Sequence, residues 1–328
     1  MNDHLQIYGW DKFWETSFQE VRSETTDEAG RVTRLERDWD FVMTAKGLIR
    51  TERRLGTFDR TIEPVVGDWV VVGIDDDQTQ IIKQVLEAKN YVKRKRTTPG
   101  AERAQFLAAN VDFGCIVTGL DITMNTKRLA RKIIMLLDAS VKPVLILTKT
   151  DLVEQDFIER EKQKALVTYP ELEIFLVDSI SNSGIPELRS FLSDKNNTTV
   201  LIGASGVGKS TLVNSLIDDE VMTTAKVRSS DKRGRHTTTY RELIALPDSG
   251  TIIDTPGIRS AALWNAELGI KSFFKEIFSA AEQCKFNDCS HIKEINCQVK
   301  TAIAEGAISE KRFDLYLQLV LEDLDKEF

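Results

Sequence analysis

The sequence predicts an α/β protein: a mostly parallel sheet covered by helices, with a small β-barrel before it and a helical, cysteine-bearing segment after it. Three observations carry this reading. From residue 111 onward, apolar runs and amphipathic stretches alternate in a strand–helix rhythm. Over residues 30–88, apolar and polar residues alternate in short stretches broken by Gly and Asp. Within residues 284–297 lie three of the four cysteines and one of only three histidines.

The elements follow in order. Residues 4–21 place Trp10, Phe13, Trp14 and Phe18 at helical spacing, which predicts one amphipathic helix. "RVTRLERDWDFVMTAKGLIRTERR" and "PVVGDWVVVGIDDDQTQIIKQVL" read as short strands of a small barrel of the OB kind. "KNYVKRKRTTPGAER" is a basic linker, and its Pro99-Gly100 marks a boundary. Then come strand "VDFGCIVTGL", helix "TKRLARKIIMLLDA", strand "KPVLILTKTD", a charged helix ending near Tyr169-Pro170, strand "LEIFLVDS" and helix "GIPELRSFLSD". "TTVLIGASG" is a strand running into a loop, and "YRELIALPD" and "GTIIDTPG" are two further strands. Residues 266–283 and 299–327 read as helices. The expected domains are 1–97 (extension and barrel), 98–265 (α/β domain) and 266–328 (helical domain).

Composition bounds the function. A chain of 328 residues, 41% hydrophobic and 29% charged, can bury two or three cores. No apolar run reaches membrane-spanning length, and the start "MNDHLQIYGWDKFWE" has acids and aromatics where a signal peptide needs a basic end. A cytoplasmic protein with reduced cysteines is expected. Net charge is −7, so any nucleic-acid contact must come from local basic patches.

"GASGVGKS" supplies Gly203, four residues, Gly208, Lys209 and Ser210, after an apolar strand and before the helix-like "TLVNSLI". In such a loop the backbone of Gly203, Ala204, Ser205, Gly206, Val207 and Gly208 wraps phosphates, and the following helix start at Lys209, Ser210 and Thr211 adds partial positive charge. Lys209 would reach the outer phosphates, and the Ser210 hydroxyl would bind magnesium. Asp254 in "IIDTPG" ends an apolar strand, where a carboxylate holds magnesium directly or through water, and the Gly257 amide would sense the terminal phosphate. Between them "GRHTTTYREL" offers Thr237, Thr238 and Thr239 to complete the magnesium shell, with Thr238 preferred.

"LILTKTDLV" raises a question of order. Thr148, Lys149 and Asp151 look like a guanine-reading motif, which in an ordinary GTPase lies downstream of the phosphate loop; here it comes first. "VDSISNSG" follows, with Ser179 in the base-loop position, then the phosphate loop, the switch threonine and Asp254. Five motifs in one cyclic order imply a circularly permuted GTPase domain, since chain ends that lie close together tolerate permutation. Asp151 would accept hydrogen bonds from guanine, and the Lys149 stem would lie over the base.

"CKFNDCSHIKEINC" spaces Cys284, Cys289, His291 and Cys297 as Cys-x4-Cys-x-His-x5-Cys. Three thiolates and one imidazole make a closed, structural site for one zinc ion.

The chain resembles the ribosome-small-subunit-dependent GTPase A family (RsgA/YjeQ) through "AANVD" (108–112), "TKTDL", "GASGVGKSTLVN", "GRHTTT", "DTPG" and "CKFNDCSH". The resemblance runs from about residue 30 to the C-terminus. It implies an OB-fold, a permuted GTPase domain and a zinc-bearing domain. It also implies GTP hydrolysis stimulated by the small ribosomal subunit during late maturation of that subunit, with GTP, GDP and ribosomal RNA as partners. A monomer is expected. Thr148 stands where the usual reader motif has Asn.

Ile258 occupies the position where Ras-like enzymes carry a water-orienting glutamine, so unstimulated hydrolysis should be slow. His236, beside the switch threonines, is the candidate to orient water on ribosome docking; a contact to RNA or solvent is its alternative. Lys93, Arg94, Lys95 and Arg96, and Lys232, Arg233 and Arg235, are candidate RNA contacts, against a merely solvated basic linker. The rival classes are a P-loop ATPase or kinase, and an RNA-binding module that uses nucleotide as a structural ligand.

Overall fold

The structure is a computed structural model that describes residues 3–53, 63–95, 104–217, 241–255 and 263–324. Two helices open it, α1 (Asp3–Gln6) and α2 (Lys12–Val21). They are separated by a turn in which Gly9 takes φ +85°. Asp11 caps α2 by accepting the Trp14 amide at 3.1 Å. The single helix expected over residues 4–21 is therefore two. Trp10, Trp14 and Phe18 are buried against Trp69, whereas Phe13 faces outward with 53% of its surface exposed. Trp10 precedes the α2 cap, so the aromatic spacing crosses a break that periodicity alone could not reveal.

Five strands follow: β1 (Glu28–Leu35), β2 (Trp39–Thr44), β3 (Gly47–Glu52), β4 (Trp69–Ile74) and β5 (Gln80–Val85). They pair in the order β1-β2-β3-β5-β4, and β4 returns to β1. That closes a five-stranded OB-like barrel around Val32, Val42, Val70, Val72, Ile82 and Val85. Closure removes the exposed edges an open sheet of this size would carry.

Residues 91–95, read in sequence as linker, form strand β6 (Tyr91–Lys95), which pairs with β7 (Ala104–Ala109). Alternation there was masked by the run of cations. Lys93 lies 3.8 Å from Asp138, Arg94 donates to Gln105 at 3.0 Å, and Lys95 stands over the Trp264 ring.

The α/β unit comprises β8 (Phe113–Gly119), α3 (Thr126–Asp138), β9 (Lys142–Thr148), α4 (Gln155–Thr168), β10 (Glu173–Val177) and α5 (Ile185–Leu192). It continues with β11 (Thr198–Ile202), α6 (Lys209–Leu216), β12 (Glu242–Ala245) and β13 (Thr251–Asp254). The sheet order is β10-β9-β8-β11-β13-β12, all parallel except β12. Strand β11, which feeds the phosphate loop, lies between strands that precede it in the chain and strands that follow it. β12 also pairs with β1, so the α/β sheet and the barrel form one continuous hydrogen-bonded surface.

Four helices complete the chain: α7 (Glu267–Phe273), α8 (Lys275–Ala281), α9 (Gln298–Ala304) and α10 (Glu310–Leu324). Each of the two expected C-terminal helices is thus split. The first breaks at Phe274, whose ring is fully buried, and the second at Gly306, which adopts φ +79°. Helix α7 crosses α3 closely because Gly269 has no side chain: its missing Cβ would meet the Ile134 carbonyl. The Gly269 amide donates to Asp138 at 3.2 Å. Phe273, Phe274, Ile277, Val299 and Leu319 share one core with Ile133, Ile134 and Leu136 of α3. Arg312 clamps this junction, donating to the Thr168 carbonyl and to Glu276, both at 2.6 Å, and to the Phe273 carbonyl.

Candidate functional site

The carboxyl ends of the parallel strands carry the sequence motifs. β8 ends at Gly119, β9 at Thr148, β10 at Val177, β11 at Ile202 and β13 at Asp254. In an open α/β sheet this edge is where ligands bind. Residues far apart in sequence therefore converge on one crevice.

In the phosphate loop, Gly206 and Gly208 adopt φ +83° and +97°, conformations that side chains resist. Gly203 is needed for room, since an added Cβ would stand 2.7 Å from the Val117 carbonyl. Lys209 begins α6 and is buried; its ammonium donates to the Gly203 and Ala204 carbonyls, each at 2.9 Å. Burial pushes its pKa down while Asp254 pulls it back. Ser205, Ser210 and Thr211 are exposed at the loop, Ala204 is half-buried, and Val207 packs into the core beneath.

Asp254 is 6% exposed, and its Oδ1 has no hydrogen-bond partner. Burial raises its pKa, Lys209 opposes this, and Glu242 adds to it. A buried carboxylate oxygen without a donor, beside a lysine and a phosphate-type loop, has the chemistry to take magnesium or a magnesium-bound water. The neighbouring Thr255 hydroxyl donates to the Leu201 carbonyl at 2.6 Å, fixing the end of β13 to β11.

At the carboxyl end of β9, Thr148 is buried, and its hydroxyl donates to the Val207 carbonyl at 2.6 Å. Lys149 takes a left-handed conformation (φ +62°) and opens the short 3₁₀ turn Thr150–Leu152. Its ammonium pairs with Asp121 at 2.7 Å, which holds the stem beside the β8 end. Asp151 is exposed on that turn. After β10, Asp178 accepts the Ile180 and Ser181 amides at 2.8 and 3.1 Å, folding the base loop. Hydrogen bonds from Ser181 and then Ile180 lower its pKa. The Ser179 carbonyl accepts the Ser215 hydroxyl at 3.1 Å, tying that loop to α6.

His236, Thr237, Thr238, Thr239, Gly257 and Ile258 lie outside the described residues, as do Arg96, Lys232, Arg233 and Arg235. Thr148, Lys149, Asp151, Ser179, residues 203–211 and Asp254 are brought to one edge. Sequence reading missed two contributors here, Asp121 and Lys132, and one joint away from this edge, Arg31. Asp121 carries no motif. Lys132 on α3 is half-buried, and burial followed by the charges of Lys209 and Arg128 pushes it down to about 8. Arg31 is 1% exposed and donates to the carbonyls of Tyr8, Gly67 and Asn110, joining the N-terminal turn, the barrel and the start of the α/β unit. The "AANVD" stretch was the available signal for this joint. Asn110 also donates to Gly67 at 3.0 Å and accepts the Lys89 amide at 2.8 Å, while Asp112 accepts the Thr198 amide at 2.7 Å.

A second constellation lies apart from this edge. The ligand atoms of Cys284, Cys289, His291 and Cys297 all fall within 4.8 Å of one another. Cys284 Sγ lies 3.7 Å from His291 Nδ1 and 3.9 Å from Cys297 Sγ, and His291 Nδ1 lies 3.4 Å from Cys297 Sγ. With bonds of about 2.0–2.3 Å from a tetrahedral ion, ligand atoms stand roughly 3.5–3.8 Å apart, so the set fits one metal ion. His291 reaches it from a left-handed backbone (φ +62°), and Cys297 from the cap of α9. Burial opposes the Cys284 thiolate, yet amide donors at Gln298 and Val299, with the neighbouring thiols, bring its pKa below the usual value.

A phosphate loop, a buried carboxylate and a guanine-type turn on one parallel sheet, met in this chain order, define a circularly permuted P-loop GTPase. The family profile described as RsgA GTPase matches residues 85–264. A Streptomyces avermitilis protein named small ribosomal subunit biogenesis GTPase RsgA is 36% identical over 321 residues, covering 97% of this chain and 85% of the relative. A Listeria monocytogenes protein named small ribosomal subunit biogenesis GTPase RsgA 2 is also 36% identical, covering 97% and 89%. The crystal structure of YjeQ from Thermotoga maritima superposes with TM-score 0.65 at 25% identity, covering 91% of this chain and 99% of that one. The chain belongs to the RsgA GTPase family.

Proposed function

We propose that this protein hydrolyses GTP to GDP and phosphate in the cytoplasm, as a monomer, during late maturation of the small ribosomal subunit, and that nucleotide state governs its binding to and release from the subunit. The convergence of Asp151, the phosphate loop and Asp254 on one sheet edge carries the reading. It is supported by relatives named for small-subunit biogenesis. Among the described residues no helix is long and apolar enough to cross a membrane.

Lys209 would leave its carbonyl partners for the outer phosphates, and the loop amides would bind them in place of water. Ser210, Asp254 and Thr238 would hold magnesium, which supplies charge neutralisation on the phosphates. Gly257 would sense the terminal phosphate. Asp151, Lys149, Thr148 and Ser179 would form the guanine pocket; a carboxylate there selects guanine because adenine lacks the matching donors. His236 would orient water only on the subunit. Zinc would be the ion at Cys284, Cys289, His291 and Cys297. Of the basic groups, Lys93, Arg94 and Lys95 would meet ribosomal RNA together with Arg96 and the switch cations.

The test is turnover of GTP and of ATP, with and without purified small subunits. Slow GTP turnover that rises at least about a hundredfold with subunits, alongside negligible ATP turnover, is expected. Equal use of ATP, or no response to subunits, overturns the proposal.

A further inference from the structure

Three charged residues stand in one row across the strands that join barrel and α/β unit. Arg34 of β1 is the register partner of Glu242 in β12, and Glu242 is the register partner of Asp254 in β13. Directly paired residues on neighbouring strands project from the same face, with Cβ atoms about 4.5–5.5 Å apart. Glu242 is therefore set between a barrel cation and the orphaned carboxylate of the nucleotide site. Arg34 is itself shared. It lies 3.0 Å from Glu36 and 3.9 Å from Glu242, and its guanidinium covers the Phe41 ring at 4.0 Å. The shorter contact is to the barrel's own glutamate, so the grip on Glu242 is the looser of the two. On the adjoining residue, Arg241 donates to the Phe106 carbonyl of β7 at 3.1 Å, which pins the start of β12 to the hairpin.

We propose that Glu242 is a positioning residue for magnesium, shared between Arg34 of the barrel and the water shell of the ion held at Asp254. The inference rests on the magnesium role given above to Asp254. Two carboxylates side by side repel, and either a guanidinium or a divalent cation relieves the repulsion. Loading of magnesium·nucleotide draws Glu242 toward the ion and leaves Arg34 to Glu36, which loosens the β1–β12 seam. By reciprocity, a barrel that holds Glu242 tightly weakens magnesium. The seam thus lets the barrel respond to the nucleotide site without passing through the zinc-bearing helices.

Equilibrium binding of a fluorescent GDP analogue to the full chain, with magnesium titrated and no ribosomal subunits present, tests this. Glu242→Gln is expected to raise the half-saturating magnesium concentration about fivefold, the scale of a partly exposed charge pair. Arg34→Met is expected to lower it about threefold, because it removes the barrel cation that competes with the ion for Glu242. In the double variant the Arg34 effect should vanish. A thermal melt in chelator reads folding separately: mere damage to the sheet lowers the melt and weakens magnesium whichever residue is changed. Single variants that shift magnesium in the same direction, or not at all, overturn the proposal. Asp254→Asn separates the two levels. If it leaves the magnesium dependence unchanged, the assignment of Asp254 fails and this inference with it. If it shifts the dependence and Glu242→Gln does not, this inference alone fails.

Discussion

The Thr148 hydroxyl donates to the Val207 carbonyl across 2.6 Å, and this bond fastens the end of strand β9 to the phosphate loop. Thr148 packs beside Gly208, whose φ of +97° rather than any lack of room calls for glycine there.

Thr148→Val keeps the shape and removes the donor. A buried carbonyl left without its partner costs about 1–3 kcal/mol. GDP affinity should fall about tenfold by calorimetric titration, and Thr148→Asn should fall less. Equal losses in both variants would show that the hydroxyl bond is not what orders the loop.

Asp151 sits exposed on the 3₁₀ turn that the Lys149–Asp121 pair props in place. Asp151→Asn replaces a pure acceptor with a group that also donates. GTP affinity should drop at least about tenfold, the scale of a lost charge-assisted pair, and xanthine nucleotides should bind better than they do to the parent. Competition binding with GTP and xanthosine triphosphate measures both. Unchanged selectivity would remove Asp151 from the base pocket.

Much of this architecture is legible because its signals are local. "GASGVGKS" declares itself through glycines that the backbone needs at Gly206 and Gly208, and the cysteine spacing through ligand chemistry. What stays hidden is set by tertiary contacts. The break between Trp10 and α2 depends on Gly9 and the Asp11 cap, not on aromatic spacing. The strand at Tyr91–Lys95 hides under its cations. The row Arg34–Glu242–Asp254 exists only because β12 pairs with the barrel, and no periodicity in residues 241–246 announces a partner more than two hundred positions away. Arg31 looks like any strand cation until its three carbonyl acceptors are in place.

The metal set predicts one zinc per chain in unchelated protein. Cys289→Ala leaves three ligands, and a structural site of this kind contributes folding energy directly. Elemental analysis should find the zinc lost. Limited proteolysis should then cut first between α8 and α9, in the segment that carries the ligands. Zinc-free parent protein with an unchanged melt would refute a structural ion.

Arg31→Met tests the joint between barrel and α/β unit. Arg31 is wholly buried, and desolvation lowers its pKa to about 10 against the pull of Asp112 and Asp68. Because the folded value lies below the unfolded one, its burial costs stability while the group is charged, and that cost shrinks only as pH rises through about 10. Its hydrogen bonds to three carbonyls and its place over the Trp69 ring offset the cost. Removing it strands the Tyr8 and Asn110 carbonyls, leaves Gly67 only the Asn110 amide, and leaves Asp68 and Asp112 without their buried cation, so the variant should lose about 3–5 kcal/mol in denaturant unfolding. A loss under about 1 kcal/mol would mean that the carbonyls find water instead.

His236 carries the last prediction, and it rests on sequence: Ile258 takes the usual glutamine position, and His236 adjoins the switch threonines. A histidine that orients water only on the subunit contributes nothing to ground-state nucleotide binding. His236→Ala should therefore bind GTP nearly as the parent does. Subunit-stimulated turnover should fall roughly 100-fold or more, as for loss of a positioned acid, base or water-orienting group. The slow basal rate should fall much less, because the lost interaction belongs to the stimulated transition state. Sedimentation with small subunits must be measured in parallel, since weakened docking would lower stimulated turnover in the same way. A variant that docks normally and keeps full stimulated turnover would assign the water to another group, supplied either by this chain or by the subunit.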